Sequence, residues 1–331
     1  MRAPATSNTV RISLVIPTYN AGPLLDDVLA GLDQLDGVRF DELLAIDSGS
    51  GDGTVARLER SGFRVAPIDK REFDHGATRD RGIAMTTGEI IVLMVQDATP
   101  MGRDWLQRMV EPFADPQVAG VWCRQVPRSG CQPVLDRRIR GWPGWGEGIT
   151  KKQLPPGKRL EDLPAFEQLM TCAFDNVASA IRRSAWQQFP LGPRRFGEDV
   201  WFGMRAIRAG LALAHQGGAC VMHSHDRSAW SEGKRTFCDH RNLRGLFGLV
   251  GIPTRAAVRG AIEHATKEHL DFVRSQNLGK EQEADALRWT RDYVRWQCWG
   301  QYLGAKAGSN LPGLKGAFFR WLGKRLERGI G

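Results

Sequence analysis

Short apolar runs alternate with segments of helical periodicity along the first two thirds of the chain. The apolar runs predict strands at Val10–Pro17, Leu43–Ile46, Phe63–Pro67, Glu89–Val95, Val118–Cys123 and Ala219–His223. Apolar residues spaced three or four apart predict helices at Leu24–Leu35, Thr54–Ser61, Thr78–Thr87, Trp105–Phe113 and Val200–Ala209. Such alternation is typical of βαβ units. The expected fold class is therefore α/β, with a mostly parallel sheet flanked by helices.

The pattern changes twice further along the chain. Residues 127–165 are rich in Pro, Gly and Arg, which predicts a long loop or excursion. From Ser228 onward the chain becomes helical, basic and Trp-containing. The pattern thus predicts an N-terminal tail at 1–9, a catalytic-type domain at 10–226 and a C-terminal helical extension at 227–331.

The net charge of +9 follows the same division. Residues 1–225 carry 27 basic and 26 acidic side chains, whereas residues 226–331 carry 19 basic and 11 acidic ones. A basic extension fits an anionic membrane surface, a nucleic acid or simply a solvated helical face, and composition alone leaves these open. We expect no nucleic-acid partner, because the sequence offers no recognised nucleic-acid-binding motif.

Polar side chains follow three of the predicted strands, at the point where each strand ends. These polar clusters are Pro17–Asn20, Asp47–Ser50 and Gln96–Ala98. Ligands of open α/β sheets bind beyond the carboxyl ends of the strands. One such cluster would be an ordinary turn, but three together predict a binding site at this edge of the sheet.

Seven segments in this order resemble the family 2 glycosyltransferases of the Rossmann-like GT-A fold. They read VIPTYNAGPLL, IDSGSGDGT, FDHGATRDRGI, VQDATP, FDNVASAIRRSAW, FGEDVWFGMRAIRAG and VMHSHDRS, and they span roughly residues 10–230. The combination is most similar to bacterial rhamnosyltransferases that use dTDP-L-rhamnose. Each segment alone is a weak signal, whereas the ordered set is specific.

The resemblance implies a nucleotide-sugar site along the strand ends. Its donor-binding residues would be Pro17, Thr18, Tyr19, Asp47, Ser48, His75, Gly76, Arg79, Gln96, Asp97 and Ala98. Many family members carry two acids where this chain has Asp47 and Ser48, so recognition of the base must differ in detail. Asp52 and Thr54 are interpreted as helix caps rather than ligands.

A nucleotide diphosphate also calls for a divalent cation, either Mg²⁺ or Mn²⁺. Asp97 follows an apolar strand and is the expected carboxylate ligand. Members of the family usually carry a pair of acids at this point, whereas this chain reads Gln96-Asp97-Ala98. His223 and His225 would face the same side of a continuing strand and could supply imidazole ligands. His223 is preferred because it follows the strand directly, and a pair of polar loop histidines is the alternative.

Glu198 and Asp199 precede an amphipathic helix, where two acids could simply complement the helix dipole. The resemblance implies that this pair holds the catalytic base of an inverting transfer, with Asp199 as the base and Glu198 in support. Asn176, Ser179 and Trp201 are the candidate residues on the acceptor side. For Asn176 and Ser179, ordinary strand and cap hydrogen bonds are an equal alternative.

The expected function is metal-dependent transfer of a sugar, L-rhamnose first, to a glycan or lipid-linked glycan acceptor of bacterial surface polysaccharide. A UDP- or GDP-sugar donor is the alternative, and a non-catalytic glycan- or membrane-binding protein is the rival of another class. Gly313–Gly329 predicts a helix with an apolar face among basic residues, which suits an interfacial helix. A helix packed on the core or a homo-oligomer contact is the alternative. We expect a cytoplasmic protein, peripheral on the inner face of the membrane.

Overall fold

A computed structural model of the protein describes residues 10–141, 146–309 and 311–329. The predicted N-terminal tail, 1–9, lies outside these residues. In the first half of the chain the elements are β1 (Ile12–Thr18), α1 (Leu24–Asp33), β2 (Glu42–Asp47), α2 (Thr54–Arg60), β3 (Arg64–Pro67), α3 (His75–Ala84), β4 (Ile90–Met94), β5 (Thr99–Met101), α4 (Trp105–Val110), β6 (Val118–Val126) and α5 (Pro133–Arg140).

The second half of the chain continues the sheet and then becomes helical. Its elements are β7 (Ile149–Lys152), α6 (Ala165–Cys172), β8 (Ala178–Arg182), α7 (Arg183–Gln188), α8 (Glu198–Arg208), β9 (Ala212–Met222), α9 (Ala229–Phe247), α10 (Arg255–Arg274), α11 (Lys280–Ala307) and α12 (Gly313–Leu326). None of the described helices is long and apolar enough to cross a membrane.

The described strands form one sheet in the order β3-β2-β1-β4-β8-β6-β9-β5, with β7 pairing alongside β9. β3, β2, β1 and β4 are parallel, and β8 then pairs antiparallel with both β4 and β6. All five residues of β4 are buried, as a strand covered by helices on both faces requires. The predicted α/β fold with a C-terminal set of helices is confirmed.

Some local predictions differ from the structure. The strand predicted at Ala219–His223 is the last part of the longer β9, which begins at Ala212 and ends at Met222. Helix α3 begins at His75 instead of Thr78, because the Asp74 carboxylate caps it by accepting from the N–H groups of Gly76 and Ala77. The segment 127–165, predicted as a loop, contains α5 and β7. These short elements are stabilised by packing against the C-terminal helices and by pairing with β9, neither of which local periodicity reports.

A glycine row brings the two long C-terminal helices into close contact. Gly300, Gly304 and Gly308 of α11 face backbone oxygen atoms of α9, and a β-carbon on any of the three would overlap them. Helices can approach this closely only where side chains are absent. The row therefore fixes α9 against α11, and α9 begins three residues after Asp226, beside the sheet edge that carries His223.

Candidate active site

The carboxyl ends of β1, β2 and β4 lie side by side, as the sequence predicts. Thr18 and Asp47 join the first two strand ends through a hydrogen bond of 3.0 Å between their side chains. The Gln96 side chain connects the end of β4 to the end of β1. Its Oε1 accepts from Tyr19 N at 2.8 Å, and its Nε2 donates to Tyr19 O at 3.1 Å. The adjoining Pro17 and Ala98 are half-buried and buried. The loop that carries Asp97 is thus fixed to the end of β1.

Asp47 and Ser48 are buried and already bonded within their own loops. The Asp47 carboxylate accepts from Gly49 N, Ser50 N and Ser50 Oγ at 3.0, 2.8 and 2.6 Å. The Ser48 hydroxyl donates to Thr18 O at 3.0 Å. These bonds show what the two residues do for the shape of the loop, and their contact with a nucleotide stays a prediction. Asp52 accepts from Gly22 N and Thr54 N, but the N-cap position of α2 is Gly53 and Thr54 is already the first helical residue, so neither is the N-cap residue that the sequence suggested.

Lys70 is a residue of this site that the sequence analysis missed. Its Nζ lies 2.7 Å from Tyr19 Oη and 3.9 Å from the centre of the Tyr19 ring. Tyr19 itself is 37% exposed. A cation against an exposed aromatic ring at a strand end is a surface suited to a flat, anionic ligand such as a nucleotide. Lys70 lies 51 residues after Tyr19 in the sequence, so no local pattern indicates that the two are in contact.

Asp97, His223 and His225 come together as one cluster. His223 Nε2 lies 3.7 Å from Asp97 Oδ1, and His225 Nδ1 lies 3.4 Å from Asp97 Oδ2. One potential ligand atom from each residue lies within 4.8 Å of the others. The predicted grouping therefore exists in space, with both histidines in it, and the preference for His223 over His225 stays a prediction.

The chemistry of this cluster fits a divalent cation. Burial lowers the pKa of His225 to about 3 and places that of His223 well below the usual range, so both rings are neutral, which is the metal-binding form. Burial also raises the pKa of Asp97. The Nε2 atom of His223 is buried without a hydrogen-bond partner. A cation would supply the missing partner for that nitrogen and favour the ionised form of Asp97.

Three arginines surround the cluster, and the sequence analysis missed all of them. Arg128 donates to Asp97 O at 2.7 Å. Burial lowers the pKa of Arg227 to about 10, and together with Arg235 it acts on His225 by charge repulsion. Such a group of cations matches a diphosphate. The closeness of Arg227 to His225 in the sequence was the one local signal for it.

Glu198 and Asp199 begin α8 after Gly197, whose φ of 72° turns the chain into the helix. Glu198 is only 6% exposed and accepts from Arg79 at 3.1 Å and from Asn176 at 3.2 Å. Asp199 is half-buried and accepts from Val200 N at 2.7 Å. Burial, together with the charges of Glu198 and Asp175, raises the pKa of Asp199 well above the aspartate range. The two acids therefore have different environments: Glu198 accepts from Arg79 and Asn176, whereas the surroundings of Asp199 favour its protonated form.

The remaining predicted residues surround these two acids. Arg79, predicted beside the donor, is buried and bonded to Glu198 and to His75 O. A β-carbon on Gly76 would overlap Gly192 O, so glycine is needed for packing there. The Ser179 hydroxyl donates to Asn176 at 2.8 Å, which holds that amide against Glu198. The Arg194 guanidinium stacks over Trp201, 3.9 Å from the ring centre.

Comparison with known proteins finds relatives of this chain in sequence and in fold. The O-antigen chain rhamnosyltransferase RfbN of Salmonella typhimurium is 32% identical over 69% of this chain and 71% of its own length. WbaN, the O-antigen chain rhamnosyltransferase of Salmonella anatum, is 28% identical over 68% of this chain and 70% of its own length. The crystal structure of S. aureus TarS 1-349 matches with a TM-score of 0.50 and 13% identity, covering 90% of each chain.

The match to a sequence family covers residues 13–184, from β1 to the start of α7, and thus includes the strand ends that carry Thr18, Asp47 and Asp97. The chain belongs to Glycosyl transferase family 2.

Proposed function

We propose that the protein is an inverting, metal-dependent rhamnosyltransferase that transfers L-rhamnose from dTDP-L-rhamnose to a glycan of a bacterial surface polysaccharide. The similarity to two O-antigen rhamnosyltransferases supports the choice of sugar and of acceptor class. The observation that carries the chemistry is the cluster of Asp97, His223 and His225 beside three cationic arginines. Carboxylate, imidazole and cations together suit a metal-bound nucleotide diphosphate.

Asp97, His223 and His225 would hold the cation, and this set of oxygen and nitrogen ligands suits Mn²⁺ as well as Mg²⁺. When bound to these residues, a cation would provide positive charge that stabilises the diphosphate leaving group. Arg128, Arg227 and Arg235 add further charge at the same place. The donor-binding predictions for Tyr19, Asp47, Ser48 and their neighbours belong to this same proposal.

Asp199 acts as the base. Its carboxylate accepts the proton of the acceptor hydroxyl while that oxygen bonds to the anomeric carbon and the bond from this carbon to the diphosphate breaks. A single displacement inverts the configuration, so a β-linked donor gives an α-rhamnoside. Glu198, held by Arg79 and Asn176, fixes the start of α8 and thereby the position of Asp199.

The surface of α12 suits an anionic membrane, which is where a lipid-linked acceptor would lie. Leu314, Phe318 and Trp321 are 90%, 52% and 55% exposed, and they point away from the protein. Exposed basic residues flank them, namely Lys315, Arg320, Lys324, Arg325 and Arg328. Apolar side chains that face outward among cations are typical of a helix at a lipid surface. We therefore include peripheral attachment at the cytoplasmic face of the membrane in the proposal.

Turnover across a panel of donors tests the function. The purified protein is incubated with dTDP-L-rhamnose, UDP-glucose, UDP-galactose and GDP-mannose, with Mn²⁺ and a membrane extract as acceptor, and nucleotide release is measured. The proposal predicts the fastest release from dTDP-L-rhamnose. Preferred turnover of a UDP- or GDP-sugar would replace the donor, and donor binding without any turnover would favour a non-catalytic binding protein.

A further inference from the structure

We propose that Gln125 and Asp175 position His223 for metal binding by fixing which of its ring nitrogens carries the proton. The inference rests on the proposed function, because it takes the cluster of Asp97, His223 and His225 as a metal site. Gln125 lies outside the segments that predicted the site, whereas Asp175 belongs to the FDNVASAIRRSAW segment but was given no role there. Both lie next to it, Gln125 near the end of β6 and Asp175 just before β8.

The Gln125 side chain connects the histidine to a carboxylate. Its Oε1 lies 2.8 Å from His223 Nδ1, and its Nε2 donates to Asp175 Oδ2. The other oxygen of Asp175 accepts from Val177 N at 2.9 Å. His223 N also donates to Val126 O at 2.9 Å, so β6 holds both the backbone and the ring of this histidine. The Gln125 side chain is thus bonded at one end to His223 and at the other to Asp175.

The direction of these hydrogen bonds follows from what each group can do. The NH₂ end of the Gln125 amide faces Asp175, and an NH₂ group can only donate. The carbonyl end then faces His223, and Nδ1 of the ring must be the nitrogen that donates. In a neutral imidazole the other nitrogen then carries a lone pair. Asp175 therefore sets the tautomer of His223 through one intervening amide.

The lone pair left on Nε2 is directed to the metal site. This atom is buried, has no hydrogen-bond partner and lies 3.7 Å from Asp97 Oδ1. A lone pair and a carboxylate oxygen that face each other repel, and a cation between them turns the repulsion into coordination. Partners beyond the direct ligands commonly orient metal-binding histidines in this way and contribute to metal affinity.

Asp175 also lies close enough to the two acids of α8 to influence them. Its charge is one of the causes that raise the pKa of Asp199, and the pKa of Asp175 is itself raised, mainly by burial and further by the Glu198 charge. Asn176, the next residue, donates to Glu198 at 3.2 Å. Two consecutive residues therefore contact both parts of the site. Asp175 bonds to Gln125, which holds His223, and Asn176 bonds to Glu198, which precedes the proposed base.

Mn²⁺ affinity of the intact protein tests the inference without any turnover. Free Mn²⁺ is measured by electron paramagnetic resonance in titrations of the wild type, Gln125→Met, Asp175→Asn, the double variant and His223→Ala. Gln125→Met removes the acceptor for Nδ1 and should raise the dissociation constant about 10- to 100-fold. Asp175→Asn allows the Gln125 amide to rotate by half a turn and should give a smaller increase in the dissociation constant for Mn²⁺. The double variant should bind no more weakly than Gln125→Met, because both changes act on one ring.

Gln216→Met is the matched control, since Gln216 is also a glutamine of the sheet, on β9, but its partners are Arg108 O, Glu111 Oε2 and Gly218 N instead of a histidine. Its Mn²⁺ affinity should equal that of the wild type. Two-dimensional ¹H–¹⁵N spectra of the histidine rings give a second readout, with His223 as the Nδ1–H tautomer in the wild type and as a mixture in Gln125→Met. A wild-type His223 spectrum already in the Nε2–H form would overturn the inference even if the variants do not fold.

The outcomes separate this inference from the proposed function. If His223→Ala loses Mn²⁺ while Gln125→Met binds as the wild type does, the positioning role is wrong and the metal site stands. If His223→Ala binds Mn²⁺ as tightly as the wild type, the metal site itself is wrong, and the positioning role fails with it.

Discussion

Arg79 and Glu198 form an ion pair that is almost completely withdrawn from solvent, with 3.1 Å between Nη1 and Oε1 and with side chains that are 3% and 8% exposed. The pair joins α3 to the first turn of α8, where Asp199 is the next residue. A buried pair of this kind keeps two elements in one relative position, because separating the charges is costly. The position of the proposed base thus depends on a contact between residues 119 apart in the sequence.

Replacing Arg79 should destabilise the fold. Arg79→Met leaves the Glu198 carboxylate buried with Asn176 as its remaining side-chain donor, and we expect the free energy of unfolding to fall by about 3–5 kcal/mol. Arg103→Met is the control, since its partner Asp36 is on the surface and an exposed ion pair contributes little to stability. Urea denaturation measures both variants. Equal effects would show that Arg79 does not stabilise this contact.

Asp199→Asn should abolish transfer while the protein still binds its donor. The amide cannot accept the acceptor proton, so we expect kcat to fall about 10²- to 10⁴-fold with little change in the dissociation constant for dTDP. Steady-state kinetics and calorimetry measure the two quantities. Asp292→Asn, on the exposed face of α11, is the control and should leave both unchanged. A fully active Asp199→Asn variant would remove Asp199 from the mechanism.

The pH profile should report the raised pKa of Asp199. The base works only when ionised, so activity should fall as pH drops through that pKa, at a higher pH than an ordinary aspartate would give. Asp175→Asn removes one of the charges that raise this pKa, so at saturating Mn²⁺ the acid limb of kcat should move to lower pH. An unmoved limb would show that another group limits the reaction.

The same raised pKa has an effect of opposite sign on stability. The fold favours protonated Asp199, so this contribution to stability is present at low pH and is lost as pH rises through the folded-state pKa. Urea denaturation at a series of pH values checks it. Asp199→Asn, which does not titrate, should remove this part of the pH dependence.

The glycine row of α11 should not tolerate a methyl group. Gly304→Ala places a β-carbon against Phe237 O of α9, and overpacking of this kind costs about 1–3 kcal/mol. Gly260→Ala, on the exposed face of α10 with no atom within 4 Å, is the matched control and should instead add about 0.5–1 kcal/mol. Thermal unfolding compares the two. A stabilising Gly304→Ala would contradict the close contact between α9 and α11.

The exposed face of α12 should bind anionic vesicles. Phe318→Glu with Trp321→Glu removes two apolar side chains and adds negative charge, so sedimentation with phosphatidylglycerol-containing vesicles should weaken at least about tenfold. Phe166→Glu is the control, because Phe166 is 60% exposed but lies on α6. Binding should also weaken with salt and on phosphatidylcholine alone. If the control and the double variant behave alike, α12 is not the membrane contact.

The parallel half of the sheet and the meeting of its polar strand ends could be predicted from the sequence. Strands β1, β2 and β4 are apolar runs that end in polar residues, and burial on both faces leaves that pattern few alternatives. The grouping of Asp97 with His223 and His225 also follows, because the resemblance places all three at strand ends. Local pattern and motif order were sufficient for these features.

Contacts between distant segments could not be read in this way. Gln125 and Asp175 are 50 residues apart, and although Asp175 lies in the FDNVASAIRRSAW segment, nothing in the local pattern of either residue indicates that the two are in contact. Arg227 and Arg235 were assigned to a basic extension, although the structure directs their charge to the proposed metal site. The spacing of Gly300, Gly304 and Gly308 is a signal for close helix packing that the sequence does carry, and it indicates that α11 lies against another helix.

Turnover of dTDP-L-rhamnose by protein stripped of metal, measured before and after Mn²⁺ is added, tests the central claim most directly. The account predicts no turnover with a chelator, recovery when Mn²⁺ is restored to the wild type, and no recovery in Asp97→Asn or His223→Ala. Turnover that persists in the chelator, or that Mn²⁺ restores equally in all three proteins, would contradict the assignment of Asp97 and His223 to the metal site.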